Sequence, residues 1–130
     1  MTKPIHQTIE FTVSPHEVYE TLMDSKKHAR FSGGTAKISR RVNGQIMAYD
    51  GYITGRNLEL IPDQKIIQEW RAVDWEPGQI SQVTFELSAI PTGTRLEFTH
   101  TGLPAGTEPE FTQGWIDNYW EPMQRLFDEK

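Results

Sequence analysis

The sequence predicts an α+β fold in which a curved antiparallel sheet wraps around a long C-terminal helix. Alternating apolar residues between positions 35 and 101 are separated by short turn motifs, which is typical of a strand meander. One strand and two short helical segments precede the meander, and residues 108–129 carry an apolar stripe with helical spacing. A chain of 130 residues has the usual size of one domain, so we expect residues 1–130 to form a single domain.

Composition excludes several classes of function. The chain contains no cysteine, which excludes disulfides, thiolate metal sites and a cysteine nucleophile. Its net charge of −5 argues against a general nucleic-acid binder. No apolar run reaches the roughly 20 residues of a membrane span, and residues 1–4 lead into a strand without a signal-peptide core. We therefore expect a cytoplasmic protein with no nucleic-acid or membrane partner.

The N-terminal region predicts one strand followed by two short helices. The strand covers residues 5–13, and its apolar face carries Ile5, Ile9, Phe11 and Val13. Ser14-Pro15-His16-Glu17 has the pattern of a capping box and begins the first helix. Asp24 or Ser25 can cap a second helix through residues 26–31, which the pair Gly33-Gly34 ends.

The middle of the chain predicts antiparallel strands joined by short turns. We expect strands over residues 35–42, 45–49, 51–60, 65–72, 80–90 and 94–101. Asn43-Gly44 is a hairpin signal, and Asp50-Gly51 is compatible with a bulge. One face of the last two strands is predicted to be covered: Val83, Phe85, Leu87, Ala89, Leu96, Phe98 and His100. The opposite face is polar and is expected to face water.

Residues 108–129 predict one helix with a wide apolar stripe. The stripe spans about half of the helical circumference, which exceeds the roughly 100° that suffices for packing on a flat surface. It contains Phe111, Trp115, Ile116, Tyr119, Trp120, Pro122, Met123, Leu126 and Phe127. Because Pro122 has no N–H, we expect it either to bend the helix or to break it into two. A curved sheet would bury such a stripe.

No motif in the sequence indicates a specific reaction. The four histidines lie on separate elements, without the spacing that places two imidazoles on one helical face, so neither a metal nor a cofactor is expected. His100 points to the covered face and is the acid–base candidate if the protein is an enzyme. The alternative is a core histidine bonded to a carbonyl or hydroxyl group. The sequence leaves activity open and favours a protein that is not an enzyme.

Two surfaces are candidates for binding. If the sheet and the last helix leave a cavity, the expected lining is Tyr49, Trp70, Phe85, Phe98, His100, Trp115, Tyr119 and Met123. Burial of apolar area would drive binding there, although side chains of these types also form ordinary cores. The second surface is a run of cations without an acid, namely Lys26, Lys27, Arg30, Lys37, Arg40 and Arg41. It is either a solvated face or a docking surface for an acidic partner.

Several short motifs occur in an order that is typical of one family. They are Leu-Glu-Leu-Ile-Pro-Asp at 58–63, Lys-Ile-Ile-Gln-Glu-Trp-Arg at 65–71, Trp-Glu-Pro-Gly at 75–78, Gly-Leu-Pro at 102–104, Gly-Trp at 114–115 and Tyr-Trp at 119–120. Together they resemble the C-terminal domain of the activator of the heat-shock protein 90 ATPase. The resemblance covers residues 5–127 and implies the helix-grip fold of the START-like superfamily, which is also called SRPBCC or Bet v 1-like.

The resemblance implies several functions. Superfamily members that hold apolar molecules between sheet and helix imply a non-enzymatic binding domain. The family itself implies a stress-response cofactor that docks on heat-shock protein 90 and modulates its ATPase. Some relatives are cyclases or dehydratases, but no catalytic residue carries over. We expect this chain to lack the larger N-terminal domain of the activator, since residue 5 already begins the strand. Monomer and homodimer both stay open.

Overall fold

The computed structural model describes residues 4–128. The strands within these residues are β1 (Ile5–Phe11), β2 (Lys37–Ile38), β3 (Gln45–Ala48), β4 (Ile53–Ile61), β5 (Lys65–Ala72), β6 (Ser81–Ile90) and β7 (Gly93–Thr101). The helices are α1 (Pro15–Met23), α2 (Ser25–Ser32), α3 (Glu108–Trp115) and α4 (Glu121–Asp128), and a 3₁₀ turn (Tyr49–Gly51) follows β3. A π-helical turn (Ile116–Trp120) joins α3 and α4 into one C-terminal helix. The predicted helix end at residue 129 lies outside the described residues.

All strands belong to one antiparallel sheet in the order β1-β7-β6-β5-β4-β3-β2. Consecutive strands are neighbours from β2 to β7, as the meander prediction required. The exception is β1, which pairs with β7 and places Ile5 opposite His100. The C-terminal helix packs its apolar side on the sheet, so the predicted α+β helix-grip fold is confirmed.

Side-chain caps define both N-terminal helices. The Ser14 hydroxyl accepts the amide N–H of Glu17 at 3.3 Å and begins α1. The Asp24 carboxylate accepts the amide N–H of Lys27 at 3.0 Å, so Asp24 rather than Ser25 caps α2. Gly33 ends α2 with a φ of +81°, a left-handed conformation that glycine adopts without steric cost. The capping predictions are confirmed.

The strand predicted over residues 35–42 is wrong in extent, because β2 is only Lys37–Ile38. The segment that follows makes isolated backbone bonds to β3 and β4, such as the Ser39 amide to the Gln45 carbonyl at 3.0 Å, and bonds to a distant side chain as well. The Asn57 amide donates to the carbonyls of Ser39 at 2.7 Å and Arg41 at 2.9 Å. Asn43 then turns the chain with a φ of +67°. These bonds satisfy backbone carbonyls that a longer strand would have paired.

The irregularity between β3 and β4 is a 3₁₀ turn and not a bulge. A register shift does occur further along β4, but in its pairing with β5, between Asn57 and Glu59. Ala89, which was predicted to be covered, is exposed next to the β6–β7 turn. Toward the middle of that strand pair the covered face is as predicted, with Val83, Phe85, Leu96 and Phe98 at 2% exposure or less.

The C-terminal helix continues through Pro122, so the break into two helices, which was the alternative to a bend at this proline, does not occur. The helix changes winding one turn earlier, where the amide N–H of Glu121 donates to the Ile116 carbonyl five residues back. Its buried side chains are Trp115, Tyr119, Trp120, Met123 and Phe127. Trp115 lies at the centre of the core, with ring centroids 4.3 Å from Phe98 and 4.8 Å from Trp70.

Candidate binding cleft

An open cleft of about 360 Å³ lies between one end of the sheet and the C-terminal helix. Its walls come from the 3₁₀ turn and the start of β4 on one side and from the helix on the other, with β5 below. The lining residues are Tyr49, Tyr52, Ile53, Trp70, Glu110, Phe111, Gly114, Trp115, Asn118 and Tyr119. The volume is at the small end of the roughly 300–1,000 Å³ found for small-molecule sites.

Tyr49 is held in an unusual conformation at the edge of this cleft. Its φ is +51° and that of Asp50 is +59°, and a left-handed backbone is rare for a bulky residue. The Asp50 carboxylate accepts both the amide N–H and the hydroxyl of Thr35, each at 2.8 Å. These bonds stabilise the turn and aim the Tyr49 side chain at the helix.

The Tyr49 phenol bonds to a backbone carbonyl that receives no hydrogen bond from the amide four residues later in the helix. Its hydroxyl donates to the Asn118 carbonyl at 3.2 Å. In an α-helix the donor to this carbonyl would be the amide four residues later, but Pro122 has none. The proline therefore creates an acceptor at the cleft, and Tyr49 connects the sheet edge to the helix there.

Tyr119 forms the inner wall of the cleft and bonds to a buried histidine. The His28 Nε2 atom lies 2.8 Å from the Tyr119 hydroxyl. His28 Nδ1 is buried and has no hydrogen-bond partner among residues 4–128. Burial lowers the pKa of His28 to about 4 and raises the pKa values of Tyr49 and Tyr119. All three side chains are therefore neutral near pH 7.

His100 is buried and uses both ring nitrogens. The Trp115 indole N–H donates to His100 Nδ1 at 3.0 Å, which requires the proton of the neutral ring to be on Nε2. Nε2 then donates to the Ser81 hydroxyl at 2.8 Å, and that hydroxyl donates to the Trp70 carbonyl at 3.1 Å. Burial lowers the pKa of His100 to about 3. The arrangement is that of a core histidine that orients Trp115.

A second buried polar chain holds Trp70 below the cleft. The Trp70 indole N–H donates to Gln68 Oε1 at 3.0 Å, and Gln68 Nε2 donates to Asn57 Oδ1 at 3.1 Å. Asn57 is fully buried and continues to the Ser39 carbonyl. Gln68 was not among the predicted site residues, although its alternation with Ile66 and Trp70 along β5 was the available signal.

The eight side chains predicted to line a cavity divide into two groups. Tyr49, Trp70, Trp115 and Tyr119 meet at the cleft. Phe85, Phe98, His100 and Met123 lie in the packed core at 2% exposure or less and are not part of the cleft lining. A small void beside Phe85 measures only about 10 Å³, room for one water molecule at most. Ligand binding by the first group stays a prediction.

The predicted lining omitted several cleft residues. These are Tyr52, Ile53, Glu110, Phe111, Gly114 and Asn118. Phe111 carried a signal, since it begins the apolar stripe of the helix. The polar members lie on the opposite side of that stripe or in a loop, where sequence pattern alone indicates solvent.

The six cations of the predicted docking surface are all exposed: Lys26, Lys27, Arg30, Lys37, Arg40 and Arg41. Two of them pair with α1, Lys27 with Glu17 at 3.2 Å and Arg40 with Glu20. The other four form no ion pair with any residue in the described range 4–128. Positive charge therefore remains along α2 and the loops around β2.

Within residues 4–128, no group of three or more His, Asp or Glu side chains is placed to hold a metal ion. No helix of the described segment is both long and apolar enough to cross a membrane.

The curved sheet and the long C-terminal helix define a helix-grip protein of the START-like type. A family profile described as "Activator of Hsp90 ATPase homolog 1-like protein" matches residues 12–128. The match spans most of the chain, and the chain belongs to this family. The family prediction made from the short motifs is therefore confirmed.

Relatives with this description are longer than the chain. It is 30% identical over 128 residues to the activator of 90 kDa heat shock protein ATPase homolog of Dictyostelium discoideum, covering 97% of this chain and 33% of that protein. It is 26% identical over 117 residues to homolog 1 of Homo sapiens, covering 90% of this chain and 35% of that protein. The chain thus spans about a third of the length of these relatives.

A solved structure of similar size has the same fold. An HSP90 activator from Plasmodium falciparum superposes with a TM-score of 0.90 at 26% sequence identity. The superposition covers 95% of this chain and 94% of that chain. The whole helix-grip architecture is therefore shared and not only its sheet.

Proposed function

We propose that this protein is a chaperone cofactor that docks on a heat-shock protein 90 type chaperone and modulates its ATPase. The observation that carries the proposal is the 30% identity, over 97% of the chain, to an activator homologue of that ATPase. The Plasmodium falciparum activator supports it, because 94% of its solved chain matches a protein of this size.

The exposed cations offer a surface for this docking. Lys26, Arg30, Lys37 and Arg41 are free of ion pairs within residues 4–128, so their charge is available to an acidic partner. Complementary charge accelerates encounter and is screened by salt. We therefore expect the interaction to weaken as ionic strength rises.

The test is the ATPase rate of the heat-shock protein 90 of the same organism, titrated with this protein at low and at physiological ionic strength. A saturable change in rate is expected. Arg30→Glu should weaken apparent affinity several-fold, because it reverses a charge in the last turn of α2. Arg125→Glu is the matched control, since Arg125 lies in the last turn of α4. A rate unaffected by saturating protein would contradict the proposal.

Binding of an apolar small molecule in the cleft is a second candidate function, and Gly114 favours it. A glycine inside a helix costs about 1 kcal/mol relative to alanine. Packing does not require it here, because a Cβ atom at Gly114 would have only Asn118 Nδ2 within 4 Å, at 3.8 Å. The missing side chain leaves the cleft open. His100 does not line the cleft, so we do not propose a pocket enzyme.

The neutral dye N-phenyl-1-naphthylamine tests this second function. We expect one dye per protein to bind with enhanced fluorescence. Gly114→Leu places a side chain in the cleft and should abolish binding while thermal unfolding stays cooperative. Gln113→Leu adds the same side chain on the exposed side of the helix and should leave binding intact. An absence of binding by the unmodified protein would contradict this function.

A further inference from the structure

Two carboxylates border the cleft, one in its lining and one bonded to a lining residue. Glu110 is part of its lining. Asp74 accepts the Tyr52 hydroxyl, with its carboxylate oxygens at 3.1 and 3.2 Å. Burial together with Asp74 and Glu110 raises the pKa of Tyr52, so both carboxylates act electrostatically on a residue of the cleft.

Positive side chains do not offset this charge inside the cleft. Its described lining contains no lysine, arginine or histidine. Arg71 follows Trp70 in β5 and therefore points to the other face of the sheet. Its guanidinium donates to the carbonyls of Trp75 at 2.8 Å and Glu76 at 2.7 Å, among others. Glu110 is consequently the one charged side chain of the described cleft lining, and its charge is negative.

Aromatic side chains make up most of the wall. Six of the lining residues are aromatic: Tyr49, Tyr52, Trp70, Phe111, Trp115 and Tyr119. Aromatic rings attract cations through their quadrupole, most strongly when the cation is removed from water. A nearby carboxylate adds direct Coulomb attraction of the same sign.

We propose that the cleft binds an organic cation, an alkylated ammonium or guanidinium group on a short apolar stem. The inference rests on the second candidate function, since it names the ligand class of the same cleft. The stem contacts the apolar lining and the charged group lies among the rings near Glu110. Carboxylates and phosphates are excluded by the two acids, and a neutral ligand of the same shape lacks the charge attraction.

The test compares each cation with a neutral molecule of the same shape. The ¹⁵N-labelled protein is titrated with choline and with 3,3-dimethylbutan-1-ol, in which carbon replaces the nitrogen. The Gly114 amide signal reports on the cleft. We expect choline to bind about tenfold more tightly, as a cation on a desolvated aromatic site should. Acetyl-arginine amide and acetyl-citrulline amide form a second pair, in which the cation is a peptide side chain.

The two pairs distinguish the source of the cation. Preference for choline indicates a small quaternary ammonium ligand, and preference for the arginine compound alone indicates a side chain of a partner; both support the inference. Tighter or equal binding of both neutral molecules overturns it, while binding in the cleft stands. If neither these ligands nor N-phenyl-1-naphthylamine bind, the inference and the second candidate function fail together.

Charge variants supply the matched control. Glu110→Gln removes the carboxylate from the cleft and should weaken cation binding several-fold without affecting the neutral molecules. Glu108→Gln makes the same change in the same helical turn, outside the cleft lining, and should change neither. Equal effects of both variants would overturn the role of Glu110 and the inference built on it.

Discussion

Two neighbouring residues of the C-terminal helix have opposite surroundings. Trp115 is 3% exposed, has aromatic rings on several sides and bonds to His100. Gly114 faces an open cleft, and a Cβ atom there would have a single neighbour within 4 Å. The contrast teaches that the helix stabilises the fold through Trp115 and leaves the cleft open at Gly114. Variants should therefore affect stability and binding separately.

The largest effect is expected for Trp115→Ala. The change opens a cavity at the centre of the aromatic core and removes the donor to His100 Nδ1, so unfolding in urea should show a loss of about 3–5 kcal/mol. Gln113→Ala, two residues away on the exposed side, is the control. A loss below about 1 kcal/mol would remove the contrast between the two positions.

The next largest effect is expected from acid, which should lower the stability of the core. The pKa of His28 is lowered to about 4 and that of His100 to about 3, from 6.5. The unfolded chain therefore binds more protons below pH 6.5, and stability is full above that pH and is lost as pH falls toward 4 and 3. Each histidine should contribute a loss of about 2 kcal/mol by pH 5, before most carboxylates protonate.

Urea unfolding between pH 7 and pH 5 measures this loss. Urea unfolding between pH 8 and pH 9 is the control, because neither core histidine gains a proton there in the folded or the unfolded chain. Constant stability between pH 7 and pH 5 would show that the two core histidines are not held neutral.

Tyr119→Phe should have an intermediate effect. It removes the hydroxyl that lies beside His28 Nε2. The other ring nitrogen of His28, Nδ1, already has no hydrogen-bond partner within residues 4–128. Leaving a buried polar atom unsatisfied costs about 1–3 kcal/mol. Tyr49→Phe removes a hydroxyl bond at the half-buried cleft edge and should cost about 1 kcal/mol or less. Equal losses in thermal unfolding would contradict the difference between the inner and outer walls.

The smallest effect has the opposite sign. Gly114→Ala should stabilise the protein by about 0.5–1 kcal/mol, because alanine favours the helix and the added methyl group meets nothing closer than 3.8 Å. Gly55→Ala is the matched comparison, since a Cβ atom there would lie 1.8 Å from the Glu69 carbonyl oxygen. That variant should be destabilised. A destabilised Gly114→Ala protein would show that the glycine serves packing.

Local patterns predicted most of the fold. The caps at Ser14 and Asp24 involve residues three positions apart, and strand parity placed His100 on the covered face. The wide stripe around Trp115 correctly indicated a helix enclosed by a sheet. Each of these signals depends on near neighbours in the sequence, which is why they could be read from it.

The features that could not be predicted depend on distant partners. The short β2 results from Asn57, which binds carbonyls 16 and 18 residues away. Glu110 and Gly114 come from the polar side of the helix and meet Tyr52 only through the fold. The roles of Ser81 and Trp115 at His100 likewise required three elements in space. Four of the eight residues predicted to line a cavity lie in the core of the structure for the same reason.

The pairing of β1 with β7 has a consequence for the order of folding. Residue 5 lies opposite residue 100, so the sheet is completed only after residue 100 has left the ribosome. Such long-range contacts are associated with slow folding, because the intervening chain loses entropy before the pairing forms. Until then β1 has no partner strand, and its unpaired backbone and apolar side chains are exposed to aggregation.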